Sequence, residues 1–593
     1  MGWLRDIGAF VEERTSLGTA TALFLDTRSP SGAWLSRLLA SAIAACVAVL
    51  ALTGVVLMMA YSPSPQSAWA SVHYIEFVLA HGWILRGLHF WAAQALFVLA
   101  ALAILHGALV AAYRAPRELG WWLTLVVLGL TLAEMITGGL LPWDQRGWWG
   151  RVVEANIIGM APVVGGWIGR MISGGAELGA LGLARAYTAH VVLLPLPLVL
   201  ALWGQRAMAR RYGWAPGADS KSAPHIRLLG TSALVGAIVI CALFAVTGWA
   251  RHAPLEAPAD PMSDYPARPE WFLMTLYRLR KYFHGSMEFW GTTTLPGVAA
   301  GYFVLLPWIE RRLSRVVAIL GALAIFGGAG ALGVLAFRHD AADAQYVKSH
   351  AKWEKQAAAA IEIAKAGVPP EGALVMERRD PELRGRDLFE RQCAACHVLG
   401  DLGDPKKASA SRLDGWGTAA WIDAMMHDPD APEFFGRGPY AEQMPSVDTP
   451  PKKPLPPGDV WVAMVKNVGE RKAVSLFLAA EGDEPFDPPQ APLAPKVRAD
   501  AEKIVSERCT TCHLYKGDGD DEGSGLAPEL SRYGSLEWTR MQIADPSSPA
   551  VYRSKALDPK MKKHMPRFDK DLSASDIDIL ARYVHKHGRT SSL

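Results

Sequence analysis

An all-α architecture is predicted, a seven-helix transmembrane bundle followed by two small α-helical domains, and three observations predict it. The 593-residue chain is 51% hydrophobic and only 20% charged. Its first half holds seven apolar segments long enough, or nearly so, to cross a hydrocarbon core, which takes about 20 helical residues. From Arg338 onward the composition turns charged and Pro-rich, and this half carries two C-x-x-C-H pentapeptides, Cys393-Ala394-Ala395-Cys396-His397 and Cys509-Thr510-Thr511-Cys512-His513. A formal net charge of +3 is too small to imply nucleic acid or an acidic substrate.

The spans fall at 34–60, 83–113, 119–141, 184–205, 228–248, 292–308 and 314–337, the sixth being short and Pro-bounded. The N-terminal stretch lacks the charged start, apolar core and cleavage site of a secretory signal, so the first span is expected to act as the insertion signal. Short basic loops stay cytoplasmic. The loops after spans two (Arg114, Arg117), four (Arg206, Arg210, Arg211, Lys221, Arg227) and six (Arg311, Arg312, Arg315) are basic, whereas 61–82 has no Lys or Arg. The N-terminus is therefore expected inside and 338–593 outside, although 142–183 and 249–291 also carry arginines. Segment 338–375, with the helix-like stretch AKWEKQAAAAIEIAKAG, reads as a linker. Cys46 and Cys241 sit in separate apolar runs and read as small buried hydrophobes, so no disulfide framework is expected.

C-x-x-C-H signals covalent haem: Cys393, Cys396, Cys509 and Cys512 supply the thioether bonds, and His397 and His513 each supply one axial nitrogen. The sixth ligand is sought downstream, where a Met before Pro sits on a rigid loop. Met444-Pro445 and Met565-Pro566 fit, with Met425, Met426 and Met561 as rivals. Each unit, 376–482 and 483–593, resembles a class I cytochrome c, with a helix before the haem motif and, in the second, one after the Met (LSASDIDILARYVHKH).

Ionisable residues inside spans are costly and default to functional hypotheses. The second span offers Arg86 and His89, and the fourth Arg185 and His190, near the same, outer, face: two imidazoles for iron and two guanidiniums for propionates. The segments GWILRGLHFW, PRELGWW, LPWDQRGWW, APVVGGWI, ARAYTAH, PADP and RPEWFLMTLYRLRKYF, in that order, resemble the cytochrome b subunit of Rieske/cytochrome b complexes, closest to the bf-type pair of cytochrome b and subunit IV. The resemblance covers 1–337. It implies an amphipathic inner-surface segment over 1–33, a four-helix haem-binding bundle over 34–215 and a subunit IV-like three-helix region over 216–337. It further implies that His89 and His190 ligate the outer haem b, with Arg86 and Arg185 at its propionates and Gly54 and Gly138 against its face. Pro269-Glu270-Trp271-Phe272 is then the quinol-oxidation motif, in which Phe272 replaces the usual Tyr and Glu270 accepts a quinol proton.

The family holds a second, inner haem b by histidines 14 residues further along helix two and 14 or 15 along helix four, about 21 Å away. Here those positions are Ala103 and Gly204 or Gln205, and the inner glycine positions are Ala40 and Thr124. One haem b is therefore expected and the second is doubtful, with His106 the rival ligand. A conventional Q cycle is then impaired or absent. No Rieske Cys/His pair exists in the chain, so a separate Rieske iron–sulfur protein is the implied partner. Soluble cytochrome c or a terminal oxidase is the implied acceptor, the quinone pool the source, a homodimer the assembly and a bacterial inner membrane, with the c domains periplasmic, the location. Two other readings keep the cofactors: a membrane-anchored electron wire without catalysis, and a single-haem quinone reductase with inward electron flow.

Overall fold

The computed structural model describes residues 28–159, 164–217, 222–438, 441, 444–450, 462–482, 493–519, 527–548, 550–551 and 565–590, so the amphipathic segment expected over 1–33 lies mostly outside the described residues. The chain forms two units, Met1–Met376 and Glu377–Leu593.

Among the described residues, the first unit contains seven helices long and apolar enough to cross a membrane: α1 (Trp34–Ala60), α2 (Gly82–Leu109), α3 (Glu118–Leu140), α5 (Ala180–Tyr212), α6 (His225–Ala250), α7 (Trp290–Arg312) and α8 (Arg315–Ala342). A shorter α4 (Gln145–Gly159) lies between α3 and α5. Their outward faces are apolar, with Trp249, Met59 and Trp203 among the most exposed side chains, as lipid contact requires. On α2 a stripe at every fourth residue, from Leu88 through Ala92, Leu96, Ala100 and Ile104 to Ala108, is buried. Its alanines let α1 lie close alongside. Helix α5 also packs on α3, and α6 on α1, completing the bundle.

Helix α5 is not regular. Pro195 and Pro197 cannot donate backbone hydrogen bonds, and the preceding turn, Ala189–Leu193, widens to a π-helix closed by Leu194 N–H donating to the Ala189 carbonyl at 2.9 Å. His190 sits in that widened turn.

The loops after the second and sixth spans meet at one end of the bundle. Arg114 pairs there with Glu310, and Arg311 with Glu118 at 3.0 Å. At the other end, Tyr61 donates to the Leu141 carbonyl at 2.8 Å, Trp69 to the Glu256 carbonyl at 2.8 Å, and Gln145 N–H to the Ala257 carbonyl at 2.9 Å. That second end is where the candidate site lies.

The helix-like stretch in the expected linker is a helix packed on other elements of the first unit. Residues Ala344–Ala364 form one helix, α9, capped by Asp343, whose carboxylate accepts from the Gln345 and Tyr346 amides. Its buried residues Trp353, Ala357, Ala360 and Ala364 recur at helical spacing and press onto the first unit. Trp353 packs against Tyr265 at 5.5 Å, and the Ile361 carbonyl lies 3.1 Å from His73 Nε2. Replacing Trp353 by Ala should therefore cost about 3–5 kcal/mol of local packing. The expected result is protease cleavage within 344–364 that the parent protein resists.

The second unit contains α10 (Pro381–Gln392), α11 (Ala419–His427), α12 (Val468–Glu481), α13 (Pro495–Arg508), α14 (Leu536–Ala544) and α15 (Ala574–Thr590). Consecutive domains at 376–482 and 483–593 would pair α10 with α12 and α13 with α15. The observed partners are α10 with α15 and α12 with α13. Arg384 on α10 bonds Asp576 at 2.9 Å, and a Cβ on Gly385 would lie 2.4 Å from Tyr583 Cβ, so this crossing needs glycine. Arg508 on α13 approaches Glu470 at 3.6 Å, and the Arg498 guanidinium stands 5.7 Å from the Phe477 ring. The halves interleave because the chain crosses over at left-handed glycines: Gly415 (φ 76°), Gly417 (φ 78°) and Gly534 (φ 75°).

Candidate functional site: a paired-histidine centre and a buried carboxylate

His89 on α2 and His190 on α5 face each other across the bundle with ring centroids 6.1 Å apart. Two imidazoles gripping one metal ion from opposite sides, at about 2 Å per nitrogen, stand about 6 Å apart between centres. Their tautomers are also fixed. The Thr53 hydroxyl donates to the Val49 carbonyl, leaving its lone pair to accept from His89 Nδ1 at 3.0 Å. Thr137 likewise donates to the Ala133 carbonyl and lies 3.3 Å from His190 Nδ1, which is also 3.1 Å from the Glu134 carbonyl. Both Nδ1 atoms are thus donors, and both Nε2 lone pairs are left for iron. A Cβ at Gly54 would lie 3.3 Å from His89 Cε1, and one at Gly138 2.7 Å from His190 Cε1, so glycine keeps the cradle open on both sides. These residues fit a bis-imidazole haem.

The two arginines expected beside the propionates contact protein groups. Arg86 directs its guanidinium to the fully buried Glu76 carboxylate at 2.8 Å and to the carbonyls of Ala253 and Pro254. A buried carboxylate needs a cation, and Arg86 supplies one to Glu76. Arg185 is exposed and donates to the Met171 carbonyl at 2.7 Å.

At the inner positions the helices bond one another. Gln205 donates to Thr124 Oγ1 at 2.7 Å, bridging α5 and α3, and Arg206 reaches the Ala40 carbonyl at 2.8 Å. His106 is engaged with Ser36 Oγ at 3.0 Å. What remains is a cavity of about 60 Å³ lined by Ala40, Ala103, His106, Thr124 and Gln205 among others. Among the described residues, the inner positions bring no two imidazoles face to face.

The Pro269-Glu270-Trp271-Phe272 segment docks on α2: the Trp271 indole donates to Gln94 Oε1 at 2.6 Å, and Phe272 and Phe97 rings lie 5.4 Å apart. Burial pushes the Glu270 carboxyl above its ordinary range, and the Arg146 guanidinium opposes that shift. Arg146 is itself ion-paired with Glu256. Burial raises Glu154, on α4, to about 7, with Arg151 opposing and Glu270 adding. Sequence reasoning did not single out Glu134, Arg146 or Glu154. Glu134 was findable, because it is a carboxylate inside a span, and it lies 2.8 Å from His190 Nδ1.

In the soluble unit, His397 Nδ1 donates to the Ser411 carbonyl and His513 Nδ1 to the Pro528 carbonyl, each at 2.8 Å, leaving both Nε2 atoms available as axial ligands. Met444 and Met565 are half-buried against the two cores of this unit, with Met565 Sδ 3.5 Å from Gln542 Nε2. Met425 also packs on the first core, Met426 is buried in it, and Met561 lies outside the described residues.

Comparison with known proteins bears on the family. The family described as Cytochrome b/b6/petB matches residues 27–213, and the one described as Cytochrome C oxidase, cbb3-type, subunit III matches 497–584. Cytochrome b6 of Heliomicrobium gestii is 35% identical over 168 residues, which are 28% of this chain and 79% of that protein. The cytochrome bc complex cytochrome b subunit of Chlorobaculum thiosulfatiphilum is 29% identical over 280 residues, 44% of this chain, and this chain spans 64% of that relative's length. A solved structure described as "Hyperthermophilic respiratory Complex III" aligns with TM-score 0.48 and 22% identity, covering 56% of this chain and 91% of that one. With two facing histidines on neighbouring spans, their glycine cradle, and a b6 relative matched over most of its length, the chain belongs to the cytochrome b/b6 family and is a multi-pass membrane electron-transfer protein continued by a cytochrome c-type region.

Proposed function

We propose that this chain is the quinol-oxidising subunit of a bc-type complex in a bacterial inner membrane, working with a separate Rieske iron–sulfur protein. It carries one haem b, at His89 and His190, and one covalent haem c on each C-x-x-C-H motif. When bound, these groups supply reversible one-electron chemistry, and axial Met raises the potential of a c haem. The chain's own part is to hold the ring nitrogens in register, to bury Glu270 where a quinol hydroxyl can surrender its proton, and to tether the c region. Electrons leave toward the Rieske partner, then to the tethered c haems on the periplasmic side, then to soluble cytochrome c or a terminal oxidase.

One observation carries the haem count. The outer pair of helices presents two facing imidazoles in a glycine cradle, whereas the corresponding inner positions are joined by a Gln205–Thr124 hydrogen bond. With no inner haem, electrons have no cofactor on the way to the inner surface, and a conventional Q cycle is impaired or absent. Pyridine haemochrome analysis of purified protein should give one b to two c. A ratio of two to two overturns the single-haem assignment.

A further inference from the structure

The interleaving of the second unit bears on its metal sites. The helix that leads into Cys393 shares one buried core with Phe568 and α15, and Met565 packs on that core. The helix that leads into Cys509 shares the other core with Val474 and Phe477 of α12, and Met444 packs there. Each haem motif thus lies in the body that holds the other repeat's Met-Pro loop. Ion pairs secure the exchange at its ends: Glu382 on α10 holds both Lys586 and His587 on α15, the latter at 2.6 Å. At the crossover, Arg589 Nη2 donates to the Gly534 carbonyl at 2.7 Å and its Nη2 would lie 2.2 Å from a Cβ on Gly482 and 3.7 Å from one on Gly417. One guanidinium therefore gathers three chain segments that are distant in sequence.

We propose that the two c-type centres are completed across the repeats, His397 being paired with Met565 and His513 with Met444. The core that holds Met444 and the Cys509 motif draws on residues between Trp416 and Val551, and in it the Met ligand precedes the haem motif. The other core draws on two separate stretches, Leu388–Leu402 and Ile543–Val584. This pairing rests on the reading of both motifs as His–Met haem c sites. It also makes each haem site dependent on a residue of the other repeat, 168 positions away for His397 and Met565 and 69 for His513 and Met444, so neither repeat closes its own site.

Two measurements on the full-length holoprotein test it. Zero-length carbodiimide cross-linking followed by mass spectrometry should yield a Glu382–Lys586 product, while a product joining α10 to α12 overturns the exchange. The second counts His–Met centres by their near-infrared charge-transfer band in a His397→Gly background, which retains one. Adding Met565→Leu should leave that one intact, and adding Met444→Leu should remove it. The reverse pattern overturns the crossed pairing. If both methionine substitutions leave the band of the otherwise unmodified protein unchanged, the methionines are not ligands, and the underlying His–Met reading fails instead.

Discussion

Replacing both His89 and His190 by leucine should abolish the b-type bis-imidazole spectrum while leaving the c-type signal at full amplitude. The expectation follows from lone pairs. Leucine is close to histidine in volume but offers no donor atom. The hydroxyl and carbonyl groups that orient the rings have no electron pair aimed at the iron position, since they accept from Nδ1 on the far side of each ring. The single variants should each leave a five-coordinate, weakly held site. Loss of an orienting partner has a smaller cost: Thr53→Val removes the acceptor for His89 Nδ1 and should weaken retention by about 10–100-fold. Titrating apo-protein with haem reads that difference. A b-type spectrum that survives in the double variant would place the metal elsewhere in the bundle and refute the assignment.

Much of this arrangement was legible because membrane crossing writes itself into composition. All seven spans were readable from apolar runs, and the observed ends differ from expectation by a few residues, most at α5, which starts at Ala180 rather than 184 and continues to Tyr212. The facing histidines were readable because an imidazole inside a span needs a reason. The same rule applied to Glu134 would have found the carboxylate beside His190. Helix α9 was legible as a helix from its Ala, Lys and Glu content, but its packing was not foreseen, although Trp353, Ala357, Ala360 and Ala364 mark a single face that required a partner. Arg86 was placed correctly in sequence, but its partner was not foreseeable. Glu76 stands ten residues earlier, and only the turn between them reveals that the two meet. The exchange of helices in the soluble unit leaves the least trace of all. Amphipathic periodicity says that α10 buries one face; it does not say whether α12 or α15 covers it, and sequence adjacency favours the partner that the structure does not use.

Glu270→Gln should lower quinol-dependent reduction of the c haems by about 10²-fold or more, the usual range for removing a general base. The amide keeps the shape of the carboxyl and its neighbours, so haem content and direct chemical reduction should not change. A membrane-anchored wire without catalysis predicts indifference instead. The pH profile gives a second, independent check. Burial holds the Glu270 carboxyl above the ordinary value of about 4.3. A protonated carboxyl cannot accept a proton, so the rate of the parent protein should fall as pH drops through that raised value, and the limb should vanish in the Gln variant. Arg146 provides the sign test. Its guanidinium lowers the Glu270 pKa, so Arg146→Met should move the acid limb to higher pH, leaving less of the carboxylate form at any given pH below it. Movement in the opposite direction would mean that the limb belongs to another group, with Glu154, whose own carboxyl is raised to about 7, the first to examine.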